Sequence, residues 1–96
     1  MNVLLTHHFK QAAKRLHANQ RAALEEAIQA LQANPMLGDL KIADLAGVRV
    51  YKFYMLHLLV LLAYSYNEQR DEMVLLYFAS HGNFYEKLKK QLKFHN

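Results

Sequence analysis

Between Val48 and Ala79 the chain runs through three segments, VRVYKFYML, LLVLLAYSY and MVLLYFA, joined by short polar connectors such as NEQRDE. Each segment is rich in β-branched or aromatic residues, which favour extended backbone, and connectors this short join neighbouring antiparallel strands. This region therefore predicts a β-meander. The middle run is apolar on both faces. That fits a central strand covered on both sides, or one covered on one side and exposed as a binding surface on the other.

The first part of the chain follows the helical period instead. After a short extended start, Thr6 is placed to N-cap a helix of about three turns, with Phe9, Ala12, Ala13 and Leu16 on one face and Lys10, Lys14 and Arg15 on the other. Asn19 is the expected cap of a second helix, whose stripe of Leu24, Ala27, Ile28 and Leu31 ends at Asn34 because the residue before Pro35 is pushed out of the helical region. A short link makes these helices an antiparallel αα-hairpin. GDLKIADLAG, residues 38 to 47, bridges helix to sheet as a short edge strand or a turn of helix. From Asn83 to Phe94, Phe84, Leu88 and Leu92 form an apolar stripe beside lysines, a third helix. The expected fold is α+β: an N-terminal antiparallel αα-hairpin on one face of a small antiparallel sheet of three to four strands, with a short C-terminal helix, in one domain over residues 1–96.

Composition narrows the chemistry. The chain has no cysteine, which excludes disulfides, thiolate ligands and a thiol nucleophile, and makes the reducing cytosol the simplest compartment. FYMLHLLVLLAY, residues 53 to 64, is the most apolar stretch but falls short of the roughly 20 residues that cross a bilayer. The N-terminus MNVLLTHHFK lacks the basic start and small-residue cleavage site of a signal peptide, so a cytoplasmic protein with no membrane partner is expected. The formal charge of +4 favours acidic or polyanionic partners.

Three pieces in a fixed order carry a family resemblance. They are a helix ending in L-x-x-N-P-x-x-G (Leu31, Asn34, Pro35, Gly38), an L-x-G before a basic strand (Leu45, Gly47, Lys52), and a last strand running into His81 and Tyr85. With this order and spacing the chain resembles the RelE/ParE superfamily of bacterial type II toxin–antitoxin toxins over roughly residues 5 to 93. The resemblance implies a growth-inhibiting toxin neutralised by a cognate antitoxin. The RelE, HigB and YafQ types are mRNA interferases that cut message on the ribosome; ParE inhibits DNA gyrase; a catalytically inactive, antitoxin-binding member is a third possibility.

Cutting RNA without a metal requires a group to move the 2′-hydroxyl proton, a group to protonate the leaving 5′-oxygen, and cations for the charge that builds on the phosphate. Histidine is the residue type that exchanges protons near neutrality. By the family match His81 is the acid or base, Tyr85, four residues on, stacks on a base or positions the phosphate, and Lys52 is the cation. The competing reading makes His81 a turn residue beside Gly82, and Phe84 is assigned to the core. Arg49, Arg70, Lys87 and Lys90 are the further candidates for RNA or phosphate contact. Arg49 lies three residues from Lys52 and so on the opposite face of a strand. The central run HLLVLLAYSY carries no cation, a departure from the arginine that many ribonuclease members place there. His57 falls in a turn, and His7, His8, His17 and His95 show no ligand spacing, so neither a metal nor another cofactor is expected.

Overall fold

In chain order the elements are β1 (Asn2–Leu5), α1 (His7–Lys14), α2 (Ala18–Ala33), β2 (Asp39–Leu40), a 3-10 turn (Ala43–Leu45), β3 (Arg49–Met55), β4 (Leu58–Asn67), β5 (Glu72–Ser80) and α3 (Phe84–Lys93). The structure, a computed structural model, describes residues 1 to 82 and 84 to 93, apart from the Lys93 side chain. Asn83 and Phe94, the expected ends of the third helix, and His95, one of the histidines without ligand spacing, lie outside the described residues.

The meander forms as expected, with β4 at the centre of a five-stranded sheet ordered β1-β5-β4-β3-β2. The expected three to four strands are corrected on two counts. The extended start becomes β1, paired parallel to β5 from Asn2↔Glu72 to Leu5↔Leu75, and residues 39 and 40 add the two-residue edge β2. Residues 38 to 47 thus supply both an edge strand and a turn of helix. A four-residue apolar segment carries too little period to be read as a strand alone; its place is set by β5, with which it pairs.

Register divides the sheet into two faces. On one, Tyr64, Leu62, Met73 and Leu75 meet Phe9 of α1 and Leu24 and Leu31 of α2 in one apolar cluster. On the other, Val50, Leu61, Ala63 and Tyr77 meet Leu45, Val48 and the Phe84 and Leu88 stripe of α3. Helices therefore cover both faces, which corrects the one-sided arrangement and explains why β4 is apolar on both sides. Between Ala63↔Tyr77 and Tyr64↔Leu75 the register slips, leaving Leu76 as an extra residue on β5. Both Leu76 and Tyr77 then serve the α3 cluster.

The hairpin also departs from expectation. Thr6 caps α1 as predicted, its hydroxyl accepting from the Phe9 amide at 3.1 Å, but α1 is only 8 residues long and lies against β5. The cap of α2 is His17, not Asn19: Gln20 reaches back to the His17 amide at 2.8 Å in a capping box. This helix runs 16 residues and lies against β3. The two helices are thus unequal and seated on different strands.

The turn after α2 explains the N-P-x-x-G signature. The Gly38 amide donates to the hydroxyl of buried Tyr64 at 2.9 Å, and that hydroxyl donates to the Pro35 carbonyl at 2.7 Å. A β-carbon at Gly38 would lie 2.7 Å from Tyr64 Cε1, so only glycine fits beneath the ring. Arg49 clamps the same turn, donating to the carbonyls of Gly38 at 2.8 Å and Met36 at 3.3 Å.

Candidate functional site

His81 ends β5. Its amide donates to the Leu59 carbonyl at 3.2 Å, extending the β4–β5 ladder by one residue past Ser80. Sequence alone placed this strand at the sheet edge. The edge belongs to β1, but β1 pairs only with Glu72 to Leu75, so the outer side of β5 near His81 has no strand beside it among the described residues. The imidazole is exposed.

Lys52 lies in the cross-strand row Lys52↔Leu61↔Ala79, on the face that receives α3, and is exposed. Alternation puts His81 on the same face one row further along. At about 4.8 Å per strand and 3.3 Å per residue, two strands and two residues separate the Cα atoms by roughly 12 Å. A lysine and a histidine at that spacing can reach one phosphate between them.

Tyr85, on the first turn of α3, is half-buried, with its ring edge-on to Phe84 at 5.0 Å between centroids. Its ring lies 5.5 Å from the ammonium of Lys41, a cation–π arrangement. Sequence reasoning missed Lys41. Its contact with α3 depends on the 3-10 turn folding under the helix, where Asp44 pairs with Lys89 at 3.1 Å, and no spacing in the sequence signals that. Phe84 is fully buried, as expected of a core residue.

The other candidates are dispersed. Arg49 faces the hairpin side and is engaged with the turn carbonyls. Arg70 sits in the β4–β5 turn, at the far end of β5 from His81; the 9 residues of that strand separate them by roughly 26 Å. Lys87 and Lys90 are exposed on α3, lining an opening with His8, Tyr77 and Gln91. His57 is exposed in the β3–β4 turn. Among the described residues, no three His, Asp or Glu side chains converge as a metal site would need, and no helix is long and apolar enough to cross a membrane.

A sheet covered by an N-terminal helix pair and a C-terminal helix, with a histidine at the end of the last strand, is the arrangement the resemblance implied. A family model described as the ParE-like toxin of type II bacterial toxin–antitoxin systems matches residues 3–89. The chain belongs to this family. The toxin's fold is also that of an Escherichia coli RelE toxin solved in the free state with two arginines replaced by alanine. The two superpose with a TM-score of 0.72 at 11% identity, over 97% of this chain and 95% of that one. Comparison with curated proteins gave no sequence match. As a type II toxin, the protein has an antitoxin as its partner.

Proposed function

We propose that this toxin is a ribosome-dependent mRNA endoribonuclease that cleaves by metal-independent transesterification. The observation that carries the reading is the placement of exposed His81 and exposed Lys52 on one face of the sheet, in adjacent rows, with the Lys41–Tyr85 pair on the same side. In this reading the RNA 2′-hydroxyl loses its proton to a base, O2′ attacks the adjacent phosphorus, and the P–O5′ bond breaks as O5′ takes a proton. The products are a 2′,3′-cyclic phosphate and a 5′-hydroxyl. His81 is the proton-transfer group, Lys52 and Lys41 stabilise the charge on the phosphate oxygens, and Tyr85 flanks the bound strand. The central strand β4 carries no Lys or Arg, so few protein cations address the phosphate. A substrate already held by the ribosome compensates, since positioning lowers the barrier without further protein charge.

A second reading, inhibition of DNA gyrase, is favoured by the ParE-like family description, by that same cation-free strand, and by the exposed Tyr54, Leu56 and Leu58 around the β3–β4 turn. It needs a binding surface and no proton transfer. Inducing the toxin without antitoxin while following mRNA integrity and DNA supercoiling separates the two. Loss of message with cyclic-phosphate ends, slowed by about 10²- to 10⁴-fold in His81→Ala, is expected for the ribonuclease. Intact message with altered supercoiling sinks it in favour of gyrase. If neither changes and growth continues, the toxin is a catalytically inactive member that binds only its antitoxin.

A further inference from the structure

We propose that the cleft between α1 and α3 is a second phosphate track that takes the backbone of the single-stranded RNA cut beside His81. The identity of the ligand as RNA rests on the ribonuclease reading; the anionic chemistry of the ligand rests on the cleft itself. Two openings make up the cleft. One is lined by His8, Tyr77, Lys87, Lys90 and Gln91, and the other by His7, His8, Gln11, Ala12, Arg15 and Gln91. They share His8 and Gln91 and so adjoin, with volumes of about 230 and 400 Å³, room for a nucleotide.

The sign of the charge is uniform. Among the described residues, no Asp or Glu lines either opening. The helix α1, HHFKQAAK, has no acidic residue, and the α3 carboxylate, Glu86, stands one turn before Lys90 on the helix but is not among the residues that line either opening. Lys87 and Lys90, three apart, present their ammonium groups on one side, whereas Lys89 is turned the other way and held by Asp44. At the wall of the cleft the His8 ring lies against Tyr77, with centroids 5.3 Å apart.

Two anionic occupants match a cationic lining, an RNA backbone and an acidic segment of a partner protein, and the lining favours RNA. A docking peptide draws most of its affinity from apolar anchors seated in pockets. Among the described residues, none of the large exposed hydrophobics lines this cleft; Leu40, Ile42, Tyr54, Leu56 and Leu58 lie instead around β2 and the β3–β4 turn. What the cleft offers is cations, side-chain amides and imidazoles, the set that holds a phosphate backbone. It is also continuous with the proposed cleavage site. Tyr77 lies on β5 four residues before His81, about 13 Å along the chain, and Lys87 is on the first turn of the helix that follows.

The test is the salt dependence of binding a 2′-O-methyl oligoribonucleotide, which cannot be cleaved, to the full chain purified free of antitoxin. Each phosphate contact to a single strand contributes about −0.7 to the slope of log K against log salt, so Lys87→Ala/Lys90→Ala should make the slope shallower by about 1.4. If the two lines converge near 1 M salt, that difference weakens binding about 14-fold at 0.15 M. Lys10→Ala/Lys14→Ala removes the same charge from α1 outside the lining and should change the slope by less than half as much. Equal effects of the two pairs, or wild-type binding by Lys87→Ala/Lys90→Ala, overturns the proposal. So does selective loss of antitoxin binding in that variant, which assigns the cleft to the partner protein. His81→Ala should bind with an unchanged slope; if it binds normally and also cleaves normally, the ribonuclease site fails while the cleft stands.

Discussion

Replacing Tyr64 by phenylalanine tests the turn that joins the helices to the sheet. Tyr64 is fully buried on the central strand, and its hydroxyl is both acceptor for the buried Gly38 amide and donor to the Pro35 carbonyl. Removing the oxygen keeps the ring and its packing but strands an amide with no other partner. An unsatisfied buried group costs about 1–3 kcal/mol, and water can partly serve the half-exposed Pro35 carbonyl, so the expected loss is about 2 kcal/mol. For a domain of this size that lowers Tm by roughly 8–16 °C. Gly38→Ala attacks the same contact from the other side. Its β-carbon would sit 2.7 Å from Cε1 and 2.8 Å from the hydroxyl, so the ring must move, both hydrogen bonds break, and overpacking adds about 1–3 kcal/mol. Because the alanine already displaces the ring, the double variant should fall short of the sum of the singles by about 1–2 kcal/mol. Urea unfolding followed by far-ultraviolet circular dichroism measures all three. A cost below about 0.5 kcal/mol for Tyr64→Phe, or strict additivity in the double variant, refutes the account; Tyr64→Phe alone decides it if Gly38→Ala does not fold.

Three further outcomes are expected. Burial pushes the Tyr64 phenol above its ordinary range, so its contribution to stability is present below pH about 10 and is lost as pH rises through the folded value. The stability gap between wild type and Tyr64→Phe should therefore narrow in alkaline urea titrations. Leu56 sits in the β3–β4 turn at φ 58°, where leucine pays about 1–2 kcal/mol, so Leu56→Gly should raise Tm by a few degrees after the entropic cost of glycine; a fall of that size contradicts it. Phe84→Ala should cost about 3–5 kcal/mol by opening the cluster beneath α3, and native-state hydrogen exchange should show α3 losing protection before β4.

The candidate site was legible in the sequence at single residues and illegible in its assembly. His81 at a strand end, Lys52 on a strand and Phe84 in the core follow from local pattern, and period two already placed Arg49 opposite Lys52. The distance of Arg70 from His81, the approach of Lys41 to Tyr85 and the joining of His7, His8 and Arg15 to Lys87 and Lys90 depend on contacts between segments far apart in the chain. No local period encodes those contacts.

The same division holds for the fold. Three β-rich runs with short connectors determine the meander, Pro35 determines the end of α2, and the Phe84 and Leu88 stripe determines an amphipathic last helix, because each is a matter of backbone sterics or side-chain spacing within a few residues. Tertiary structure alone decided that residues 2 to 5 become a parallel edge strand and that α3 covers the face opposite the hairpin. An isolated strand of four residues has no stability until β5 supplies its hydrogen bonds. An amphipathic helix can bury its stripe on either face of a sheet whose central strand is apolar on both.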